Sequence, residues 1–267
     1  MLVYLVEMAS RPQVILPGWY LPEAAHPYYT LAPQFEIDFA APAGLNPPLD
    51  PGSAAMFTED ESVTILKDEK VKGLLANTKR LKDVNADDYI AIFYIGAHGP
   101  VIDLSVDKDS IKLDSKFYRS DKIVSAFCHG IAALVSVTGE DGKSIFNGKN
   151  VTAFAIAEEQ QVGKVEMGVP SPHDPIHGPS NASLFPAKAV PFQNEERMQE
   201  LGGTYVKVSE AWAESPLPLC DTVRALKFHA DDNLQPKISV SGTLLTGQNP
   251  GSAKPLADEL LKVLQKL

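Results

Sequence analysis

Residues 122–127 form a short apolar, β-branched run that ends in Cys128, His129 and Gly130, after which small and apolar residues continue to Leu134. Such a run suits a strand buried on both faces of a parallel sheet. The change to Cys-His-Gly puts the cysteine where a strand hands over to a helix, which is the geometry of a nucleophile elbow. A thiol held there stands above the sheet, and the positive end of the following helix favours its thiolate. Most free cysteines are small buried hydrophobes. Cys128 follows the strand instead of sitting within it, so it is read as a candidate nucleophile.

A second strand ends in the same way. Residues 89–95 are the clearest strand signal in the chain and run into Gly96, Ala97, His98 and Gly99. Glycines at a strand end let backbone approach a ligand, and open α/β sheets bind ligands beyond the carboxyl ends of their strands. The backbone N–H groups of Ala97 and His129 are candidates for an oxyanion hole, with Gly96, His98 and Gly130 beside them. His98 equally suits a structural hydrogen bond that fixes its loop.

Two acidic positions complete the set. Glu23 opens a helix expected to reach about Leu31; an acid there complements the helix dipole. Its neighbours Trp19, Tyr20 and Leu21 point further, to a partly buried carboxyl of raised pKa that shares a proton with a thiolate. Glu158 and Glu159 follow the strand that ends at Phe154. Adjacent acids are commonly solvated surface, and one of these is a candidate to orient a histidine.

The rest of the chain alternates strand and helix patterns. Strands are expected at 2–7, 35–41, 204–208, 222–229 and 238–240, and helices between 59 and 81, over 190–201 and over 253–266. Asn147-Gly148 reads as a tight turn between two short strands, and the Pro/Gly-rich segment 42–53 as a loop. This order implies one α/β domain spanning residues 1–267, built on a doubly wound, mostly parallel sheet. Residues 164–190 interrupt it as a long irregular insertion. His173, Asp174 and His177 within it suggest a surface loop more than a metal site, because further ligands at metal spacing are lacking.

Charge and cysteine content bound the function. The chain of 267 residues carries 24 Lys+Arg against 34 Asp+Glu, a net charge of −10. That balance argues against nucleic acid or an anionic membrane as partner. Two cysteines, Cys128 and Cys220, are too few for a disulfide framework and fit a reducing, cytosolic compartment. The apolar run 2–6 is too short to span a membrane and lacks a signal peptide's basic flank.

Ala126-Phe-Cys-His-Gly130, Gly-Ala-His-Gly at 96–99, Glu23 ahead of His26-Pro27, and Gly247-Gln-Asn-Pro-Gly-Ser252 together resemble the DJ/PfpI superfamily. The Cys-His pair and Gly18-Trp-Tyr-Leu-Pro-Glu23 most resemble its heat-shock chaperone branch, whose members act as glutathione-independent glyoxalases (glyoxalase III). The resemblance implies a flavodoxin-like α/β sandwich and a catalytic set of Cys128, His129 and an acid, with Glu159 at the acid's position and Glu158 the near alternative. It matches Glu23 to a buried glutamate that hydrogen-bonds the nucleophile. It also implies a homodimer, a small dicarbonyl substrate such as methylglyoxal, and no metal or other cofactor. Ala97 departs from the family, which often has glycine there. A stress-response holdase, a cysteine-oxidation sensor and a deglycase or other hydrolase are the alternatives within the same superfamily.

Overall fold

The computed structural model describes residues 2–4, 19–161, 191–208 and 236–267. Its main sheet comprises β1 (Leu2–Tyr4), β2 (Asp38–Ala41), β3 (Lys79–Arg80), β4 (Ala91–Tyr94), β5 (Ile123–Phe127), β8 (Ile238–Ser241) and β9 (Leu244–Gly247). In space the order is β3-β2-β1-β4-β5-β9-β8. Every pairing is parallel except that of β8 with β9. A separate parallel pair joins β6 (Asn150–Val151) to β7 (Thr204–Tyr205). The expected doubly wound α/β architecture is therefore the one observed.

The period-2 alternation of the central strands divides the core in two. Ala91, Phe93, Ile123 and Phe127 pack on one face with the helices Leu21–Leu31 and Ala253–Leu264, while Ile92, Tyr94, Val124 and Ala126 pack on the other with Leu113 and Phe117 of the helix Lys108–Arg119. Successive side chains of a strand point to opposite faces, so both faces must be apolar when helices cover both. Phe93 and Phe127 are fully buried and their rings meet at 5.5 Å, which ties β4 to β5 just below the rim that carries the site.

Several segments differ from expectation for identifiable reasons. Residues 51–53 are not loop: Asp50 accepts from the Ser53 N–H at 2.6 Å and Pro51 supplies the first position of a helix, Pro51–Met56. A capping side chain followed by proline is a helix start even inside a proline-rich run. The preceding loop is pinned to the helix Leu21–Leu31 by Trp19 Nε1–H donating to the Pro47 carbonyl (3.1 Å) and the Leu21 N–H donating to Ser53 Oγ (3.1 Å). Residues 144–146 form no strand beyond a single bridge between Thr138 and Ser144, and β6 pairs with β7 and not with a hairpin neighbour. The region 59–81 holds the helices Asp60–Ile65 and Glu69–Ala76 and then the edge strand β3. β9, directly beside β5, was not expected, since Leu244-Leu-Thr-Gly247 is short and close to glycine at either end. Residues 5–7, 164–190, with His173, Asp174 and His177, the expected strand 222–229 and Cys220 lie outside the described residues. Among those described, no helix is long and apolar enough to cross a membrane.

Candidate active site

At the end of β5 the backbone turns sharply. Phe127 is extended (φ −148°) and Cys128 is left-handed (φ +54°). A non-glycine residue in that region costs about 1–2 kcal/mol and persists only where its surroundings hold it. Here the turn breaks the strand's alternation, so that Cys128 joins the same cluster as Phe127, on the side of the helix Leu21–Leu31. Two glycines make the turn possible. A Cβ on Gly130 would lie 2.8 Å from the Ile95 carbonyl oxygen and 2.9 Å from that of Tyr94, and one on Gly96 would meet the Glu23 carboxylate and sit 2.8 Å from the Cys128 Cβ. The end of β4 thus packs directly under the elbow. Ala97 is also left-handed (φ +77°), the conformation that a glycine adopts without strain.

The segment after the elbow, Cys128–Leu134, is a 3-10 helix, not the α-helix expected from the run of small residues. Its poorer alignment of peptide dipoles removes the main argument for a thiolate at rest. Burial argues the other way. Cys128 is 4 % exposed, and desolvation, followed by the charge and hydrogen bonding of Glu23, pushes its thiol well above the usual range. The expected thiolate near neutral pH is replaced by a resting thiol.

Glu23, in the first turn of Leu21–Leu31, is fully buried. Burial raises its pKa to about 8, against the smaller lowering influence of the Cys128 thiol and the N–H groups of Gly96 and Ala97. Its carboxyl packs against that thiol and those amides without a hydrogen bond of normal length and angle to any of them. At neutral pH it is therefore largely a neutral acid facing a neutral thiol. His26, one turn on, reaches away to Glu61 at 2.5 Å.

His129 lies 3.5 Å from the thiol, Nδ1 to Sγ, and its Nε2 pairs with Glu159 Oε1. Burial alone would raise the Glu159 pKa, but the charge and hydrogen bonds of His129 and His98 outweigh it and hold the carboxyl well below its ordinary value. A carboxylate only accepts, so Nε2 carries the proton and Nδ1 is left with its lone pair toward the thiol. His98 comes from the β4 side, its ring 4.3 Å from that of His129 and its Nε2 3.9 Å from Glu159 Oε2. Phe154 closes the opposite side, its ring 4.8 Å from His129.

Of the two acids it is Glu159 that reaches the histidine. Glu158 turns back to accept from the Ala155 N–H at 2.8 Å and from Asn249 Nδ2 at 2.7 Å. Its role is to fix the start of the helix Ile156–Gln161 and thereby Glu159. Cys128, His129, Glu159 and Glu23 are therefore brought together, with Gly96, Ala97, His98 and Gly130 around them. Phe154 and Asn249 were not anticipated as part of the site. The signal for Asn249 was the Gln248-Asn-Pro-Gly251 run after β9, part of the motif that carries the family resemblance. An open surface depression of about 640 Å³ lies elsewhere, lined by Lys108, Lys112, Ser115 and Glu140 among others, and none of the site residues borders it.

A cysteine on a left-handed turn beyond a central parallel strand, with an adjoining histidine tied to a buried carboxylate, defines an α/β protein of the nucleophile-elbow class. No protein-family model matches the chain. It is similar to a glutathione-independent glyoxalase of Saccharomyces cerevisiae, 33 % identical over 158 residues, a match that spans 58 % of this chain and 65 % of the relative. Its fold is similar to that of Rapid Encystment Protein 24 kDa from Francisella tularensis (TM-score 0.75, 25 % identity, 98 % and 97 % of the two chains). It also resembles glyoxalase III from Candida albicans (TM-score 0.72, 21 % identity, 98 % and 95 %). The fold is the one shared with a ThiJ/PfpI domain protein from Brachyspira murdochii (TM-score 0.56, 13 % identity, 100 % and 96 % of the two chains).

Proposed function

We propose that the chain is a glutathione-independent glyoxalase that converts a small 2-oxoaldehyde, methylglyoxal in the first instance, to its 2-hydroxy acid. The observation that carries this reading is the line Sγ, Nδ1, Nε2, carboxylate: Cys128 lies 3.5 Å from His129, and His129 is held by Glu159. A resting thiol suits such a line, because the proton leaves as the carbon–sulfur bond forms. Cys128 Sγ adds to the aldehyde carbon while its proton passes by way of His129 Nδ1 to the former carbonyl oxygen, which gives a hemithioacetal and leaves Nδ1 free to act as base again. His129 then carries the hydrogen of that carbon as a proton to the neighbouring carbonyl carbon through an enediol. The first carbon is oxidised to a thioester and the second reduced to an alcohol, with no external redox partner. Water cleaves the thioester and returns the thiol. Glu23 as a neutral acid, with the N–H groups of Ala97 and His129, faces the oxygen that gains charge.

The 4 % exposure of Cys128 favours a small free dicarbonyl over one already attached to a protein, which ranks deglycation second. Burial of Cys128, which also pushes its thiol up, ranks an oxidation sensor lower, since susceptibility follows thiolate character and access. A free catalytic thiol persists most readily where thiols are kept reduced, which favours the cytosol. The resemblance further carries a homodimer, which light scattering would register as twice the chain mass of 28.9 kDa. The test of the activity is lactate formation from methylglyoxal without glutathione, by wild type and by Cys128→Ser. Full turnover in the variant overturns the mechanism.

A further inference from the structure

We infer that His98, His129 and Glu159 form a binding site for one divalent transition-metal ion, zinc first among them, which takes the place of the proton shared by His129 and Glu159. One donor atom from each residue lies within 4.8 Å of the other two, and His98 Nε2 stands 3.9 Å from Glu159 Oε2. A tetrahedral ion with bonds of about 2.0–2.1 Å keeps its ligand atoms roughly 3.3 Å apart. Closing the trio around an ion thus needs shifts of up to about 0.8 Å per atom. Two imidazoles and one carboxylate select a borderline ion; calcium and magnesium require oxygen donors.

The surroundings favour a cation. Glu159 is 1 % exposed, and a buried carboxylate attracts a counter-charge more strongly than an exposed one. The Phe154 ring walls off one side of His129, while the partly exposed His98 gives an ion a way in. Cys128 is not needed: it engages His129 through Nδ1, whereas the ion would use Nε2. The ion would fix His129 in a metal-bound form and remove the carboxylate that orients it. Binding does not depend on the glyoxalase reading; a resulting loss of turnover does.

The test adds Co²⁺ and Zn²⁺ to wild type, Cys128→Ala, His98→Ala and Glu159→Gln, each checked for native far-ultraviolet circular dichroism. The expected result is one ion per chain, visible cobalt d–d bands without thiolate charge transfer, and the same spectrum in Cys128→Ala. Zinc affinity should fall at least about tenfold in His98→Ala and in Glu159→Gln. Loss of binding in Cys128→Ala, a thiolate charge-transfer band, unchanged affinity in folded His98→Ala, or no uptake by wild type would each overturn the site. None of these signals uses turnover, so failure of the proposed activity would leave them in place.

Discussion

Replacing Glu23 with glutamine should change how the stability of the protein depends on pH. The Glu23 carboxyl is fully buried and its pKa stands at about 8, against 4.5 for an exposed glutamate. Between those values the folded chain holds a proton that the unfolded chain has released. Stability therefore falls as pH rises through this window and levels off above about 8. The interval, 8 minus 4.5, is roughly 3.5 units, and at about 1.4 kcal/mol per unit it amounts to about 5 kcal/mol. Glutamine keeps the shape and cannot ionise. Urea unfolding at about pH 5 and about pH 8 measures both proteins. Wild type should be close to Glu23→Gln at the lower pH and several kcal/mol less stable at the higher one. Glu158 and Asp114, whose pKa values are also raised by burial, affect both proteins alike and cancel in the difference. Parallel pH profiles for the two proteins would refute the account of Glu23.

Glu159→Gln should lower kcat by about 10²–10⁴-fold, the range of a lost acid–base partner, in a lactate assay. The depressed Glu159 pKa makes its contribution to stability present above pH 4.5 and lost as pH falls through the folded value, so the variant should approach wild type in acid denaturation. Gly130→Ala should cost about 1–3 kcal/mol by thermal or urea unfolding, because the new Cβ would meet two backbone carbonyls that cannot turn aside. Asn249→Ala should cost about 1–3 kcal/mol by the same measurement, since it strips a hydrogen-bond donor from the buried Glu158.

The elbow was legible because three local signals coincide at Cys128: the end of a β-branched run, a histidine, and a glycine whose need follows from close packing. Glu23 was legible for a similar reason, its aromatic neighbours marking a helix start that turns inward. Long-range partners were not. Asn249 meets Glu158 across 91 residues of sequence, and nothing local to either residue encodes that meeting. β9 was missed because its four residues are identified by pairing with β5 and not by any pattern of their own. The thiol's protonation was misread because it depends on how deeply the elbow is buried and on a 3-10 helix standing where small residues suggested an α-helix.

The protonation of Glu23 also fixes how the site should respond to alkali. With Cys128 a thiol and Glu23 a neutral acid, the buried charge of the resting site is the Glu159 carboxylate, which accepts from His129 Nε2. Addition of sulfur to an aldehyde creates negative charge on oxygen, which a neutral carboxylic acid stabilises by donating its proton and a carboxylate would repel. Above about pH 8 Glu23 becomes that carboxylate. The usual expectation for a thiol enzyme is a rate that climbs as the thiol ionises; here kcat/KM for methylglyoxal should fall on the alkaline side of about 8, since the profile reports groups of the free protein. Glu23→Gln retains an N–H donor, so its rate should be lower near neutrality but should lack that alkaline fall. A fall of equal steepness in both proteins would assign the limb to another group and remove Glu23 from the reaction.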